Sequence, residues 1–182
     1  MQKLLTNPLD YNSNTYIGDY NCFGFALQTF EWADLDAYYH ASDLDDFDAE
    51  ELLEECVEEI LNYSKRTDGP LIRVNYLDEI PVGIEAVAFR LGIEEEEIET
   101  EVEDEDGDIF YKSTGEYRNA LDDFHFIWRD VDGSWWHKPG SSAIVKFKGD
   151  PEDLWGRYNS KIAWFARHPS DEIEGQWDKF EE

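Results

Sequence analysis

One cysteine and two histidines stand where they could form a nucleophilic site. Cys22 follows a polar loop and opens an apolar run that could be a buried helix, with Asn21 or Asp19 as its N-cap. A helix N-terminus lowers the pKa of a cysteine because backbone N–H dipoles point at the sulfur. His125 and His137 could supply a general base and the polar group that orients it. These residue types predict a catalytic set of Cys22, His125 and His137.

The register of a predicted hairpin decides whether the two histidines meet. Two aromatic runs flank an Asp-Gly pair, which is a strong hairpin signal. A three-residue loop with Gly133 in the left-handed conformation would pair Ile127 with His137 and place His125 on the same face, as a diagonal neighbour. A two-residue loop would put the histidines on opposite faces. The Val-Asp-Gly sequence favours the three-residue loop.

Other interpretations of these residues stay open. Cys22, His125 and His137 could ligate zinc, but their spacing matches no standard zinc motif and a fourth ligand is not evident. A cysteine in an apolar segment is more often a small core residue, which is the expectation for Cys56. The remaining two histidines are expected at the surface. Neither a metal nor a cofactor is predicted.

The elements that must position these side chains follow from periodicity. The clearest helix runs from Asp48 to about Tyr63, with apolar residues at three- and four-residue spacing and Asp48 with Glu51 as a capping box. Short β-rich runs follow from Leu71 onward, including a buried strand at 86–91 and further strands at 143–148 and 161–167. The pattern predicts an α+β fold, with N-terminal helices packed on an antiparallel sheet.

Composition and charge exclude several classes of function. The chain has 182 residues, with 15 basic and 44 acidic residues and a formal net charge of −29. Such a surface repels nucleic acid and anionic membranes, so no direct nucleic-acid or membrane binding is expected. There is no apolar run of about 18 residues that could span a bilayer. Two cysteines do not make a disulfide framework, so a reduced, cytoplasmic protein is expected.

Much of the negative charge lies in one segment. Residues 94–108 carry eleven acids and no base. The predicted organisation is a single domain over 1–182 with an acidic insertion at 93–121 and an acidic tail at 170–182. The insertion could be a solvated hairpin or a disordered segment. Alternating residues between 98 and 103, followed by Asp106-Gly107, favour the hairpin.

Three motifs resemble a group of uncharacterised phage and bacterial proteins. They are Asn21-Cys-Phe-Gly-Phe-Ala-Leu27, Asp123-Phe-His-Phe-Ile-Trp-Arg129 and Asp132-Gly-Ser-Trp-Trp-His-Lys-Pro-Gly140. Their order, a cysteine, a histidine and a second polar residue on the next strand, is similar to the NlpC/P60 and papain-like cysteine peptidase superfamily. The resemblance implies a papain-like fold. It also implies that Cys22 is the nucleophile, His125 the general base and acid, and His137 the orienting residue. Trp136 stands where that pattern has a small residue.

Two functions from different classes follow. The first is a phage-type cysteine hydrolase, a peptidase or amidase acting on a peptide or amide substrate. The resemblance implies peptidoglycan, but the charge of −29 suits an anionic cell wall poorly, so a host or phage protein substrate is equally open. The second is a non-enzymatic acidic protein that mimics nucleic acid and blocks a basic surface of a host protein. The charge could also serve solubility or growth at high salt. No oligomeric state is predicted, and a phage-encoded chain would act in the host cytoplasm.

Overall fold

The computed structural model describes residues 8, 17–44, 46–67, 69–81, 83–148, 150–153 and 155–167. Within them lie three α-helices: α1 (Cys22–Ala26), α2 (Asp36–Ser42) and α3 (Ala49–Ser64). Six strands follow: β1 (Leu71–Val74), β2 (Ala86–Glu103), β3 (Ile109–Arg129), β4 (Trp135–His137), β5 (Val145–Lys146) and β6 (Ala163–Arg167). The strands form one antiparallel sheet in the order β1-β6-β2-β3-β4-β5. The predicted combination of helices with an antiparallel sheet is confirmed.

The predicted long helix is α3. Asp48 is its N-cap, and the Asp48 carboxylate accepts a hydrogen bond of 2.8 Å from the Glu51 backbone N–H. This contact satisfies one of the free donors of the first helical turn. At the other end, the Leu71 backbone N–H donates to the Ser64 hydroxyl and joins the helix to the first strand. Both ends of α3 are therefore fixed by side chains of its own sequence.

The sheet has a core on each face. The first core lies between the helices and the sheet and includes Phe23, which stacks on Phe126 with ring centroids 4.6 Å apart. The second core covers the opposite face and includes Ile127 and Trp155. Because side chains alternate along β3, Phe126 faces the helices, whereas His125 and Ile127 face the second core.

α1 is short and tightly enclosed. A Cβ atom at Gly24 would lie 1.8 Å from the backbone oxygen of Glu31, so only glycine fits there. Beyond the helix the chain turns back through Gln28 and Phe30, which have φ angles of 60° and 56°. This left-handed conformation costs a residue with a Cβ about 1–2 kcal/mol. The closely packed turn holds the C-terminal end of α1 in place.

The acidic insertion is a hairpin. β2 and β3 continue past the sheet as a two-stranded ribbon that reaches Glu103 opposite Ile109, with shifts of register between Gly92 and Ile93 and between Glu97 and Glu99. Gly107, at φ 84°, lies in the turn that joins the strands. The hairpin prediction is confirmed, and the disordered alternative is wrong for this segment. The buried strand expected at 86–91 is the beginning of β2, which runs on into the ribbon.

Some elements differ from the predictions. α2 was not predicted, because Leu35 at its N-cap makes no side-chain capping hydrogen bond and leaves no start signal in the sequence. The strand expected at 143–148 is reduced to the two residues of β5. The predicted acidic tail at 170–182 lies outside the described residues. Among the residues described, no helix has the length and apolar character needed to cross a membrane.

Candidate functional site

The hairpin that carries the two histidines has the predicted register. The Asp130 backbone N–H donates to the Ser134 oxygen at 2.9 Å, and Gly133 has a φ of 86°. The loop therefore has three residues, and Ile127 pairs with His137. His125 and His137 consequently lie on one face of the sheet. Their imidazoles form a hydrogen bond, with 2.9 Å between Nε2 of His125 and Nδ1 of His137.

Aromatic rings enclose the histidine pair. His125 stacks on Tyr158 with centroids 5.0 Å apart, and His137 stacks on Phe147 at 4.3 Å. Trp155 meets His125 edge-on. His125 is only 5% exposed, and burial lowers its pKa to about 3, with smaller contributions from His137 and Arg157. Burial also lowers the pKa of His137. Both rings are neutral at pH 7, so one ring donates and the other accepts.

Polar contacts hold the Tyr158 ring against His125. The Tyr158 hydroxyl donates to Asp123 Oδ2 at 2.9 Å, and Arg157 donates to the same oxygen at 2.8 Å. Burial raises the pKa of Tyr158 to about 12, so the hydroxyl keeps its proton and acts as a donor. No pattern in the sequence pointed to Tyr158, because it follows His125 by more than thirty residues in an irregular segment.

Cys22 is the first residue of α1, and its neighbour Asn21 fixes the start of the helix. The Asn21 side chain accepts hydrogen bonds from the backbone N–H groups of Gly24 at 3.1 Å and Ala33 at 3.3 Å. Its amide group also donates to the Ala33 oxygen at 2.6 Å. Asn21, and not Asp19, is therefore the N-cap.

The Cys22 thiol is buried and protonated. Backbone N–H groups of Phe126 and Phe23 donate toward the sulfur and favour the thiolate, as does the charge of Lys138. Burial outweighs them and, with a contribution from Asp123, raises the pKa of Cys22 to about 12. The expected lowering of the thiol pKa is therefore wrong for this structure. The cause is desolvation of a side chain that is only 5% exposed.

The structure assembles part of the predicted site. It joins His125 to His137, and it places the Cys22 sulfur beside the backbone amide of Phe126, the residue that follows His125. In the described part of the chain, no hydrogen bond links that sulfur to either imidazole, and the His125 ring points toward the second core. Nδ1 is the nitrogen of His125 that His137 does not engage.

Comparison with protein-family models, with curated proteins and with solved structures finds no match to this chain. The resemblance to the NlpC/P60 and papain-like superfamily therefore stays a prediction.

The remaining candidates are placed as follows. Cys56 lies in α3 with no exposed surface, as its apolar helical face predicted, and burial raises its pKa to about 12. His40 is exposed, as expected, whereas His168 lies outside the described residues. Within the described ranges, no group of three or more histidine, cysteine or carboxylate side chains could hold a metal ion.

Proposed function

We propose that the protein is a cysteine hydrolase that cleaves a peptide or amide bond, with a papain-like arrangement of Cys22, His125 and His137. The observation that carries the proposal is the 2.9 Å hydrogen bond between the imidazoles of His125 and His137. The next residue of the same strand, Phe126, directs its backbone N–H toward the Cys22 sulfur. A nucleophile at a capped helix start, a base and a residue that orients the base are the parts that thiol catalysis requires.

Each residue has a defined role in the reaction. The Cys22 thiol transfers its proton to Nδ1 of His125 as the sulfur attacks the substrate carbonyl carbon. His125 then returns that proton to the departing amine, and the C–N bond breaks to leave a thioester. Water, deprotonated by His125, hydrolyses the thioester and regenerates the thiol. His137 holds Nε2 of His125 throughout, so that Nδ1 is the nitrogen that exchanges the proton.

The charge states favour a general-base mechanism over a resting ion pair. The pKa of Cys22 is raised to about 12 and that of His125 is lowered to about 3, so both side chains are neutral without substrate. Transfer of a proton between them is strongly unfavourable in these dry surroundings. The proposed reaction therefore requires the imidazole and the thiol to come into hydrogen-bond contact when substrate binds, with the substrate supplying the carbonyl that the developing thiolate attacks. Catalytic hydrogen bonds commonly tighten only in the substrate complex.

The test uses two substrates and a matched pair of cysteine variants. Fluorescent casein represents a protein substrate, and purified peptidoglycan fragments represent the cell-wall peptide. Cys22→Ala should abolish release of product, whereas Cys56→Ala removes the other buried thiol and should retain turnover. A peptidyl vinyl sulfone should label Cys22 and not Cys56. Wild-type protein that turns over neither substrate and is not labelled at Cys22 would overturn the proposal.

A second function is supported by the geometry of the acidic ribbon, residues 93–103 and 109–121. Glu99, Glu101 and Glu103 are exposed and share one face of the ribbon, since alternate residues of a strand point the same way. The Cα atoms of neighbouring glutamates on that face are about 7 Å apart, two residues of extended strand. Tyr111 lies opposite Glu101 and is also exposed. We propose that this face can occupy a basic, nucleic-acid-binding protein surface.

Competition with DNA tests the second function. The protein should displace labelled duplex DNA from protamine at low salt, and its direct binding to protamine without DNA should weaken as salt is added. Changing the three ribbon glutamates, Glu99, Glu101 and Glu103, to glutamine should weaken displacement more than the same change at Glu51, Glu55 and Glu58 of α3, which are also exposed. Equal losses would show that net charge alone is responsible. Cys22→Ala should leave displacement unchanged.

A further inference from the structure

Tyr158 lies in an irregular segment, residues 157–160, that is fixed to the edge of β2. The pairs between β2 and β6 end before Leu91, and the segment takes the place of β6 beyond that point. The backbone N–H groups of Asn159 and Ser160 donate to the Leu91 oxygen at 3.0 and 3.1 Å. The Leu91 N–H donates in return to the Ser160 hydroxyl at 2.9 Å. The residues that follow Tyr158 are therefore bound to the sheet.

The hydroxyl end of Tyr158 is held by a carboxylate of β3. Asp123 Oδ2 accepts from the Tyr158 hydroxyl at 2.9 Å and from Nη2 of Arg157 at 2.8 Å. The same Nη2 also donates to the Tyr158 oxygen at 3.3 Å, which closes a triangle of polar contacts. Asp123 precedes His125 by two residues, so both side chains lie on the same face of β3. β3 thus supplies both the histidine and the group that holds the tyrosine over it.

The Tyr158 ring covers one face of the His125 imidazole. The two centroids lie 5.0 Å apart and the ring planes differ by 20°, an offset-stacked arrangement. His137 contacts the same imidazole differently, through a hydrogen bond to Nε2 at its edge. Rotation of a histidine ring about its Cβ–Cγ bond is intrinsically soft, so the ring plane needs support from its surroundings. The stacked ring blocks that rotation, because turning would drive the imidazole edge into it.

We propose that Tyr158 is a positioning residue that holds the plane of the His125 imidazole, so that Nε2 stays on His137 and Nδ1 stays available for proton exchange. The inference rests on the proposed hydrolase function for its purpose. Its physical content, one ring orientation and one tautomer in the folded protein, does not require turnover. Tyr158 transfers no proton in this role, because its hydroxyl hydrogen is donated to Asp123.

The test measures the tautomer of His125 in the folded protein by long-range 1H–15N correlation spectra at pH 7. The wild type should show one form, with Nε2 protonated and Nδ1 unprotonated. Tyr158→Leu keeps an apolar side chain but removes the flat ring, so the two 15N signals of His125 should move toward each other as a second tautomer appears. Tyr76→Leu is the matched control, because that ring is 69% exposed and its loss should leave the signals unchanged.

Turnover of casein or peptidoglycan fragments gives a second measurement. Tyr158→Leu should lower kcat by about tenfold and leave KM nearly unchanged, because a misplaced base slows proton transfer and not binding. Tyr158→Phe keeps the stacking ring and loses only the hydroxyl contacts with Asp123 and Arg157. It should retain most of kcat and show less of the second tautomer than Tyr158→Leu.

A space-filling role for Tyr158 gives a different result. In that case Tyr158→Leu should lower the thermal midpoint and leave the His125 tautomer as it is in the wild type. One tautomer in every folded variant, Tyr158→Phe included, would overturn the inference. A second tautomer without turnover of either substrate would support the role of Tyr158 and count only against the hydrolase.

Discussion

Nε2 of His125 and Nδ1 of His137 are joined by a hydrogen bond of 2.9 Å across the β3–β4 hairpin. The bond exists because the three-residue loop aligns Ile127 with His137, which brings alternate residues of the two strands to the same face. Burial keeps both rings neutral, so the bond selects a tautomer and involves no salt bridge. An orienting function for His137 is consistent with this geometry.

Replacing His137 should test whether its hydrogen bond orients the His125 ring. Under the proposed hydrolase function, His137→Ala removes the partner of Nε2 and should lower kcat by about 100-fold, the scale of a lost general-base alignment. His137→Asn can still hydrogen-bond the ring and should recover much of the rate. The 15N chemical shifts of His125 should show one dominant tautomer in the wild type and a mixture in His137→Ala. An unchanged tautomer in that variant would contradict the orienting role.

The buried histidine predicts how stability depends on pH. The pKa of His125 is lowered to about 3 in the folded state, whereas an unfolded histidine titrates near 6.5. The unfolded state therefore binds more protons between these values, and stability is lost as the pH falls through this range. From pH 7 to pH 5 the loss attributable to His125 should be roughly 2 kcal/mol.

This contribution is separated from that of the carboxylates by comparison with His125→Gln. The free energy of unfolding is measured by urea titration at both pH values for each protein. The wild type should lose more stability on acidification than the variant, because glutamine does not titrate. Parallel losses in the two proteins would show that His125 is not buried and neutral in solution. Arg157, which also acts on His125, is present in both proteins.

The features of the site that could be predicted depend on short-range sequence signals. Val-Asp-Gly specifies the loop and hence the register of the histidines, and Asn21 specifies the start of α1. The thiol pKa could not be predicted, because it depends on how completely distant strands exclude water from Cys22. The burial of Lys138 could not be predicted either, because lysine is ordinarily a surface residue.

The acidic ribbon likewise has one feature that local sequence predicts, the hairpin turn, and one that it does not, the length of the strands. Alternation and an Asp-Gly turn predicted the hairpin, because both are local. The predicted strand at 86–91 is shorter than β2, because the part of β2 beyond the core is polar and lacks the apolar residues by which a strand is recognised. Exposed glutamates have low strand propensity, and pairing with β3 overrides that preference.

Gly24 offers a test of the close packing around α1. A methyl group there would lie 1.8 Å from the Glu31 backbone oxygen, which cannot move independently of the turn. Gly24→Ala should therefore cost about 3 kcal/mol of unfolding free energy, despite the better helix propensity of alanine. Gly18→Ala is the control, because a Cβ at Gly18 meets nothing within 4 Å. Thermal unfolding followed by circular dichroism measures both. Equal midpoints would contradict the described packing.

The buried pair of Glu85 and Arg167 should be energetically coupled. Arg167 donates to the backbone oxygens of Ala26 and Leu27 at the end of α1, at 2.7 and 3.2 Å. The Glu85 carboxylate accepts from the Trp128 indole at 2.7 Å and offsets the arginine charge. Burial raises the pKa of Glu85 and lowers that of Arg167, so each charge depends on the other.

Removal of one member of the pair should therefore cost more unfolding free energy than removal of both charges. Arg167→Met leaves a buried carboxylate and is expected to lose about 3–5 kcal/mol in urea unfolding. Adding Glu85→Gln to that variant removes the uncompensated charge and keeps an acceptor for the indole. The double variant should then be more stable than Arg167→Met alone, giving a coupling energy of about 1–3 kcal/mol. Strictly additive losses would mean that the two charges do not interact in the folded protein.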